Sequence, residues 1–316
     1  MSLKDTYRQL CEQRTDIPLF MQAWWLDATH LPWDVLLFEH KKQVAGFYVY
    51  SYTQKWGKKL IVQPSLTQFS GPFLFYPDGL SVADKYSFEN KAYNYFIEQL
   101  KALNFQFLEQ NFHHSQTNHQ PFYWEGYAQT TRYTYLLENI AHTDAIWAGM
   151  SPDKRLRHVK KLEGKCRISL DVSPQEFYHF YEQCLQKRGR KILYPLAVFE
   201  QLHQAAQARN QGQIIALLDN ENNLQAALWI VWDATYAYNM VLALNTDYAY
   251  NKGATTKLVW EAILFLQGKT LHYDFEGSMI QGSALRNQSF GAKQVPFFHL
   301  QKSHSKLLSL WRFIKK

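Results

Sequence analysis

The sequence predicts an α+β fold of two tandem units, residues 1–145 and 146–316, each a mixed and mostly antiparallel sheet flanked by helices. Three observations carry this. Short runs rich in β-branched and aromatic residues alternate with segments of helical periodicity. The segment IIALLD-NENN-LQAALWIVW (214–232) has the form of the hairpin VLLFE-HKKQ-VAGFYVY (35–50): with Asp219 set on Glu39, Leu224 falls on Val44, Ala226 on Gly46 and Leu228 on Tyr48, without a gap. A later helix–strand unit repeats too, with Leu258, Ala262 and Leu266 on Ala92, Phe96 and Leu100, and Leu271 and Tyr273 on Phe105 and Phe107. Two segments repeating in one order indicate an internal duplication, with its boundary near residues 140–150.

Taken in order, residues 1–33 read as helical and then irregular, broken at Pro18 and Pro32. Trp24 and Trp25 suit core packing or a ligand wall. Strands follow at 35–39, 44–50 and 58–66, the last ended by Pro64, and GPFLFYPDG reads as a loop. Ser87 is a candidate cap for a helix with Ala92, Phe96, Leu100 and Leu103 on its apolar stripe. A strand at 105–109, a polar loop NFHHSQTNHQP and a strand at 131–137 complete the first unit. In the second, Ser151 and Pro152 open a basic helix, DKRLRHVKKLEGK. CRISLDV is a strand, 174–187 and 195–208 are helices, and strands follow at 214–219, 224–232 and 236–244. The helix TTKLVWEAILFL leads to HYDFEGSMIQGSALRNQSFGAKQVPFFHL, a strand, an acidic strand end, a helix and a last strand. The order is β-α-α-β-β-β-α-β-α-β.

Composition narrows the class. At 316 residues, 47% hydrophobic and 16% aromatic, the chain is globular material with room for two cores. No apolar run reaches the roughly 18 residues of a membrane span. The stretch MSLKDTYRQLCEQRTD lacks the apolar centre of a signal peptide, and the three scattered cysteines (Cys11, Cys166, Cys184) suit neither a disulfide framework nor a zinc site. A reducing cytoplasm is the expected compartment. A net charge of +7 and a pI near 9.1 favour anionic partners: nucleic acid, a phosphate-bearing cofactor or an acidic membrane surface.

The acidic strand end is the candidate centre. Alternation puts Tyr273 and Phe275 on one face and Asp274 and Glu276 on the other, roughly 7 Å apart. Ser278 or Ser283 can cap the following helix, and Gly291 can end it in a left-handed conformation. The same carboxylates could equally cap and solvate the turn. Lys252, Gly253, Ala254 and Thr255 precede a helix, so their backbone N–H groups could meet a phosphate or serve a plain helix start. Lys154, Arg157 and Lys161 share a helix face, and Lys187, Arg188, Arg190 and Lys191, with Tyr194 beyond them, form a loop shaped by Gly189 and Pro195. His113, His114 and His119 have no cysteine or carboxylate to complete a metal set, and no metal is expected.

The order of elements resembles the GNAT acyltransferase fold. The duplication, the aromatic N-terminal region and the ending DFEGS…FGAK resemble its FemAB-like branch, the methicillin-resistance type of peptidyl or aminoacyl transferase, with two tandem GNAT-like domains. Asp274, Phe275, Gly277, Phe290 and Gly291 stand at that branch's Asp-Phe-x-Gly and Phe-Gly places. The resemblance implies transfer of an acyl or aminoacyl group from a thioester (acyl-CoA) or aminoacyl-tRNA onto an amine, with no tightly bound cofactor and a cell-envelope precursor as one possible acceptor. It implies a donor-phosphate loop at YAYNKGATTKL, where Gly253 holds the first glycine place and the rest of the motif is degenerate. It also implies the active cleft in the second unit.

N-acyl transfer needs an uncharged amine, a carbonyl held against it and donors facing the oxyanion. Glu276 is the candidate base, Asp274 the neighbour that raises its pKa, and Tyr250 or Tyr248 the group protonating the leaving atom. Arg157, Arg188, Arg190, Lys191 and Tyr194 are candidates for holding a nucleotide-linked acceptor or tRNA. The tail HSKLLSLWRFIKK (304–316) suits packing on its own domain, or peripheral contact with an anionic inner membrane face. No stable protein partner is inferred. A second reading stays open: a non-catalytic protein that kept the fold and binds a phosphate-bearing ligand or tRNA.

Overall fold

The computed structural model describes residues 2–277 and 279–304. The chain divides into two compact units. One holds the residues up to Arg132 together with the chain from Pro296 onward, and the other is Tyr133–Val295. The division therefore falls inside two strands, and the segment after Pro296 joins the first unit, whereas the repeat had put it with the second.

In the first unit, α1 (Leu3–Gln13) is opened by a reciprocal capping box of Ser2 and Asp5. A 3-10 turn at Leu19–Met21 and the short α2 (Ala23–Ala28) bury Phe20 and Trp25, and the Trp25 indole donates to Thr67. Trp25 is thus a core residue. β1 (Trp33–His40) and β2 (Gln43–Lys55) form the first expected hairpin, and β3 is Lys58–Val62. The expected loop GPFLF is instead a strand, β4 (Gly71–Leu74), paired with β2. Gly46 makes that pairing possible, because a Cβ there would meet Leu74 Cδ2 at 2.6 Å. The cap of α3 (Val82–Ala102) is Ser81, not Ser87: its hydroxyl accepts the Asp84 N–H. β5 is Phe107–Asn111, α4 Gln120–Trp124 and β6 Ala128–Leu137. The polar loop after β5 is largely buried. His113 and Gln116 sit inside, where the Tyr93 hydroxyl donates to Gln116. The strands of this unit run in the order β1-β2-β3-β5, continued by the last strand.

In the second unit the end of β6 is followed by α5 (Thr143–Gly149). The expected basic α-helix after Ser151 is a π-helical turn, Lys154–Val159, running into a 3-10 turn, Lys160–Leu162. β7 (Arg167–Ser169), α6 (Pro174–Gln186, capped by Ser173) and α7 (Leu196–Gln207) follow. β8 (Gly212–Leu218) and β9 (Leu224–Trp232) form the second expected hairpin, and β10 is Tyr236–Leu244. Next come α8 (Asn251–Phe265), β11 (His272–Asp274), α9 (Gln281–Gln288) and β12 (Lys293–Ser303). Ile280 precedes α9 without a side-chain cap and Ser283 lies within the helix; Ser278 is outside the described residues. Gly291 takes the expected positive φ (+80°), two residues past the C-cap Ser289.

The strand order of this unit is β6-β11-β10-β9-β8-β7. Among the described residues of this unit only β10 and β11 run parallel, from Tyr236 opposite His272 to Tyr238 opposite Asp274. Beyond that point β10 continues without β11 and carries a bulge between Asn239 and Val241 on its β9 side. Ile215, Leu217, Leu228, Ile230, Leu258, Ala262 and Tyr273 form the core on the face covered by α8.

Candidate functional site

The acidic turn is built by β6 and β11. Asp274 lies opposite Leu136 and is 2% exposed. The Thr134 hydroxyl donates to Asp274 Oδ1, which also accepts the Glu276 N–H at 2.7 Å. Thr134 Oγ1 in turn accepts the Gly277 N–H at 2.9 Å, and the Phe275 N–H donates to the Tyr135 carbonyl at 3.0 Å. The strand therefore ends at Asp274. Glu276 does not follow by alternation; it turns back with φ +52°. A non-glycine residue held there costs on the order of 1–3 kcal/mol, and such strain gathers at functional sites.

The turn still brings the two carboxyl groups together. Burial raises Asp274 to about 7, opposed by the Thr134 and Glu276 hydrogen bonds. Burial also raises Glu276 well above the carboxylate range, and the charge of Asp274 adds to it. Glu276 Oε1 is buried and accepts no hydrogen bond. A desolvated carboxyl without a donor is costly to keep and is primed to take a proton.

The duplication supplies an internal comparison. The repeat that sets Tyr273 on Phe107 sets Glu276 on Gln110. Gln110 is fully buried and fully used: Oε1 accepts from Tyr48, and Nε2 donates to the Val49 carbonyl and to Ser70. The first unit carries a satisfied amide where the second carries an unsatisfied acid.

Of the expected acceptor-binding residues, Tyr194 is the one whose hydroxyl feels the charge of this acid. Its hydroxyl is buried without a hydrogen bond, and after burial and the neighbouring tyrosines the charge of Glu276 helps to hold its pKa up. The Tyr178 hydroxyl donates to the Tyr194 carbonyl at 2.7 Å and fixes its backbone. Arg188, Arg190 and Lys191 are exposed on the loop before it, turned at Gly189 (φ +66°). Lys187 is pinned to Asp247 at 2.5 Å and to Asn245.

A separate cleft of about 430 Å³ gathers two of the sequence's basic features. Arg157 and Lys161 of the π/3-10 segment face Tyr250, Lys252 and Gly253 at the start of α8, with Asp153 and His158 also on the wall. Gly253 allows this approach, since a Cβ would lie 3.1 Å from the His158 carbonyl oxygen. The backbone is not an open phosphate cradle: the Gly253 and Ala254 N–H groups both donate to the Tyr250 carbonyl. Ala254 is buried, and it is Thr256, rather than Thr255, whose hydroxyl meets His158 Nδ1 at 3.0 Å. Tyr250 lies under Lys165 Nζ, 4.9 Å from its ring. Phosphate binding here falls to the Arg157, Lys161 and Lys252 side chains. Sequence reasoning missed Thr134, whose importance comes from contacts distant in sequence.

No family model and no curated protein matches this sequence. Solved structures do. FemX superposes with a TM-score of 0.70 at 9% identity, covering all of this chain and 99% of that one. L-PGS from Bacillus licheniformis gives 0.57 at 10%, covering 98% and 95%. A tandem GNAT protein from the clavulanic acid biosynthesis pathway gives 0.54 at 9%, covering 96% and 94%. The fold is therefore that of the tandem GNAT proteins. FemX shares this fold over the full length of both chains.

Proposed function

We propose that the protein is an N-acyltransferase that moves an acyl or aminoacyl group from a thioester or an aminoacyl-tRNA ester onto an amine. The observation that carries this reading is the strained, desolvated carboxyl of Glu276, its Oε1 buried without a donor beside Asp274. A protein that only binds gains nothing from such a group, and Gln110 illustrates the stable alternative.

In this reading the amine is delivered as an ammonium to Glu276, whose raised pKa suits a base working near neutrality. The free amine attacks the acyl carbonyl directly, and no covalent enzyme intermediate forms. Asp274, locked by Thr134, holds the turn and its charge raises the proton affinity of Glu276. Backbone amides of β10 past Tyr238, where pairing with β11 stops, are the proposed donors to the carbonyl oxygen. Arg157, Lys161 and Lys252 hold the donor's phosphates, and Tyr250 is the nearby hydroxyl for the leaving group. Arg188, Arg190 and Lys191 meet an anionic acceptor approaching Tyr194. In this reading the acceptor is an envelope precursor, met in the cytoplasm or at the inner membrane face. Residues 305–316 of the basic tail lie outside the described residues.

A thermal-shift comparison of coenzyme A, acetyl-coenzyme A and a nucleotide control tests the donor. A ligand at about 100 times its Kd stabilises by about 2.7 kcal/mol. A coenzyme-specific shift that Lys252→Gln removes supports a thioester donor. If no shift occurs, the same assay with charged tRNA follows, and failure of both donors contradicts the transferase reading.

A further inference from the structure

In the first unit, the hairpin that joins β2 to β3 ends in a tip, residues 54–59 (QKWGKK), that the fold itself does not explain. Trp56 and Gly57 are its two turn residues, with φ +53° and +69°. Positive φ at both places is the geometry of a tight hairpin turn whose first place ordinarily takes asparagine or aspartate. A bulky side chain there is strained. Trp56 recovers nothing from the core, since it is 71% exposed. On either side of it Lys55 and Lys58 stand directly opposite each other in the ladder, with Gln54 opposite Lys59. Like charges in opposed positions are destabilising. The tip contains no acid.

Two of its lysines gather on aromatic rings. Lys55 Nζ lies over the Trp56 ring at 4.6 Å, and Lys59 Nζ lies over the Tyr52 ring at 4.8 Å. The tip thus presents a tryptophan at its apex with lysines behind it. The chain leaves β12 at this same end of the sheet. The Gln106 N–H donates to the Lys59 carbonyl at 2.9 Å, and the His304 N–H donates to the Gln106 carbonyl at 3.0 Å. His304 therefore lies two strand spacings from Lys59, roughly 10 Å. The sequence beyond it adds Lys306, Trp311, Arg312, Lys315 and Lys316. Tryptophan favours the headgroup layer of a bilayer, and lysine is drawn to an anionic leaflet. A nucleic acid fits less well: Lys55 covers one face of the Trp56 ring on which a base would stack, and the tip has no arginine fork for a phosphate.

We infer that residues 54–59 form a docking element for an anionic bilayer surface, with Trp56 entering the headgroup layer and Lys55, Lys58 and Lys59 meeting lipid phosphates. A negative surface relieves the repulsion between Lys55 and Lys58, and burial among the headgroups offsets the strain at Trp56. The inference stands apart from the transferase reading, because it uses no residue of the acidic turn or of the basic cleft.

Cosedimentation of the full chain with vesicles of phosphatidylglycerol and phosphatidylcholine, against vesicles of phosphatidylcholine alone, tests this. Binding is expected to the anionic vesicles, and it should fall with added salt. Trp56→Asn should weaken it about tenfold through lost apolar burial. Lys55→Gln combined with Lys58→Gln should weaken it by about fivefold per lysine. Lys41→Gln combined with Lys42→Gln, in the turn at the other end of β2, should leave it unchanged. Trp56→Asn should melt no lower than the wild type, because asparagine suits the turn; a structural tryptophan would show the reverse. The double variant of Lys55 and Lys58 carries the test if Trp56→Asn fails to fold. Anionic-vesicle binding that survives both tip variants, and so rests on residues outside the tip, overturns the proposal. So does equal binding to the neutral vesicles, no binding by the wild type, or an equal loss in the Lys41 and Lys42 variant. Binding of a single-stranded RNA that the tip variants abolish, without vesicle binding, assigns the tip to nucleic acid and also overturns it. Glu276→Gln should bind vesicles as the wild type does, so failure of the transferase reading is read separately from failure of this one.

Discussion

Asp274 Oδ1 accepts the backbone N–H of Glu276 at 2.7 Å, so the residue that carries the candidate base is positioned by the neighbouring acid. The contact sets the geometry of the turn, while the charge of Asp274 raises the proton affinity of Glu276. One carboxylate is structural and electrostatic, and the other is left free to react.

Asp274→Asn should stabilise the protein at neutral and higher pH. The folded-state pKa of Asp274 is raised to about 7 from an ordinary 3.8. The native state therefore binds more protons than the unfolded chain across that interval. Stability falls as pH rises through it and levels off above the folded value. The amide keeps an oxygen for Thr134 and the Glu276 N–H, so the variant should lose this slope and gain up to about 4 kcal/mol above pH 7. Chemical denaturation from pH 4 to 8 measures it, and an unchanged slope would assign the dependence elsewhere.

Thr134→Val removes the hydroxyl that joins Asp274 to the Gly277 N–H. Loss of both bonds should destabilise the fold by about 1–3 kcal/mol. Because the Thr134 hydrogen bond holds the Asp274 pKa down, its loss keeps Asp274 protonated to higher pH, removes its charge from beside Glu276 and should move the acid limb of the activity profile to lower pH. Melting and a pH–rate profile check the two effects independently.

Gly291→Ala should destabilise by about 1–3 kcal/mol, since φ is +80° and the new Cβ would meet the Gly149 carbonyl oxygen at 3.1 Å. The strain falls on the packing of the chain after α9 against the end of α5. Chemical denaturation measures it, and an unchanged stability would show that the contact relaxes at no cost.

Both hairpins were legible from their strand residues and polar turns, and their gapless repeat exposed the duplication. The chemistry of the 272–277 strand end was partly legible. Asp274 and Glu276 were singled out as a pair, but alternation placed them on one strand face, and the contact that unites them is a backbone turn at φ +52°. β4 was read as a loop because Gly71, Pro72 and Pro77 bracket it, and pairing with β2 overrides those local signals. The basic segment after Ser151 reads as an α-helix by spacing; the wider π turn that brings His158 to Gly253 and Thr256 depends on packing 98 residues away in the chain. Arg286 and Asn287 carry no signal in the sequence, because only the fold encloses them, partly and fully.

The most direct test of the central claim is steady-state turnover of the wild type and Glu276→Gln, with acyl-CoA or charged tRNA as donor and an amine as acceptor. The account predicts a loss of about 10²–10⁴-fold, the usual contribution of a general base, with a melting temperature at or above that of the wild type. Turnover within a few-fold of the wild type in a folded Glu276→Gln protein would contradict it.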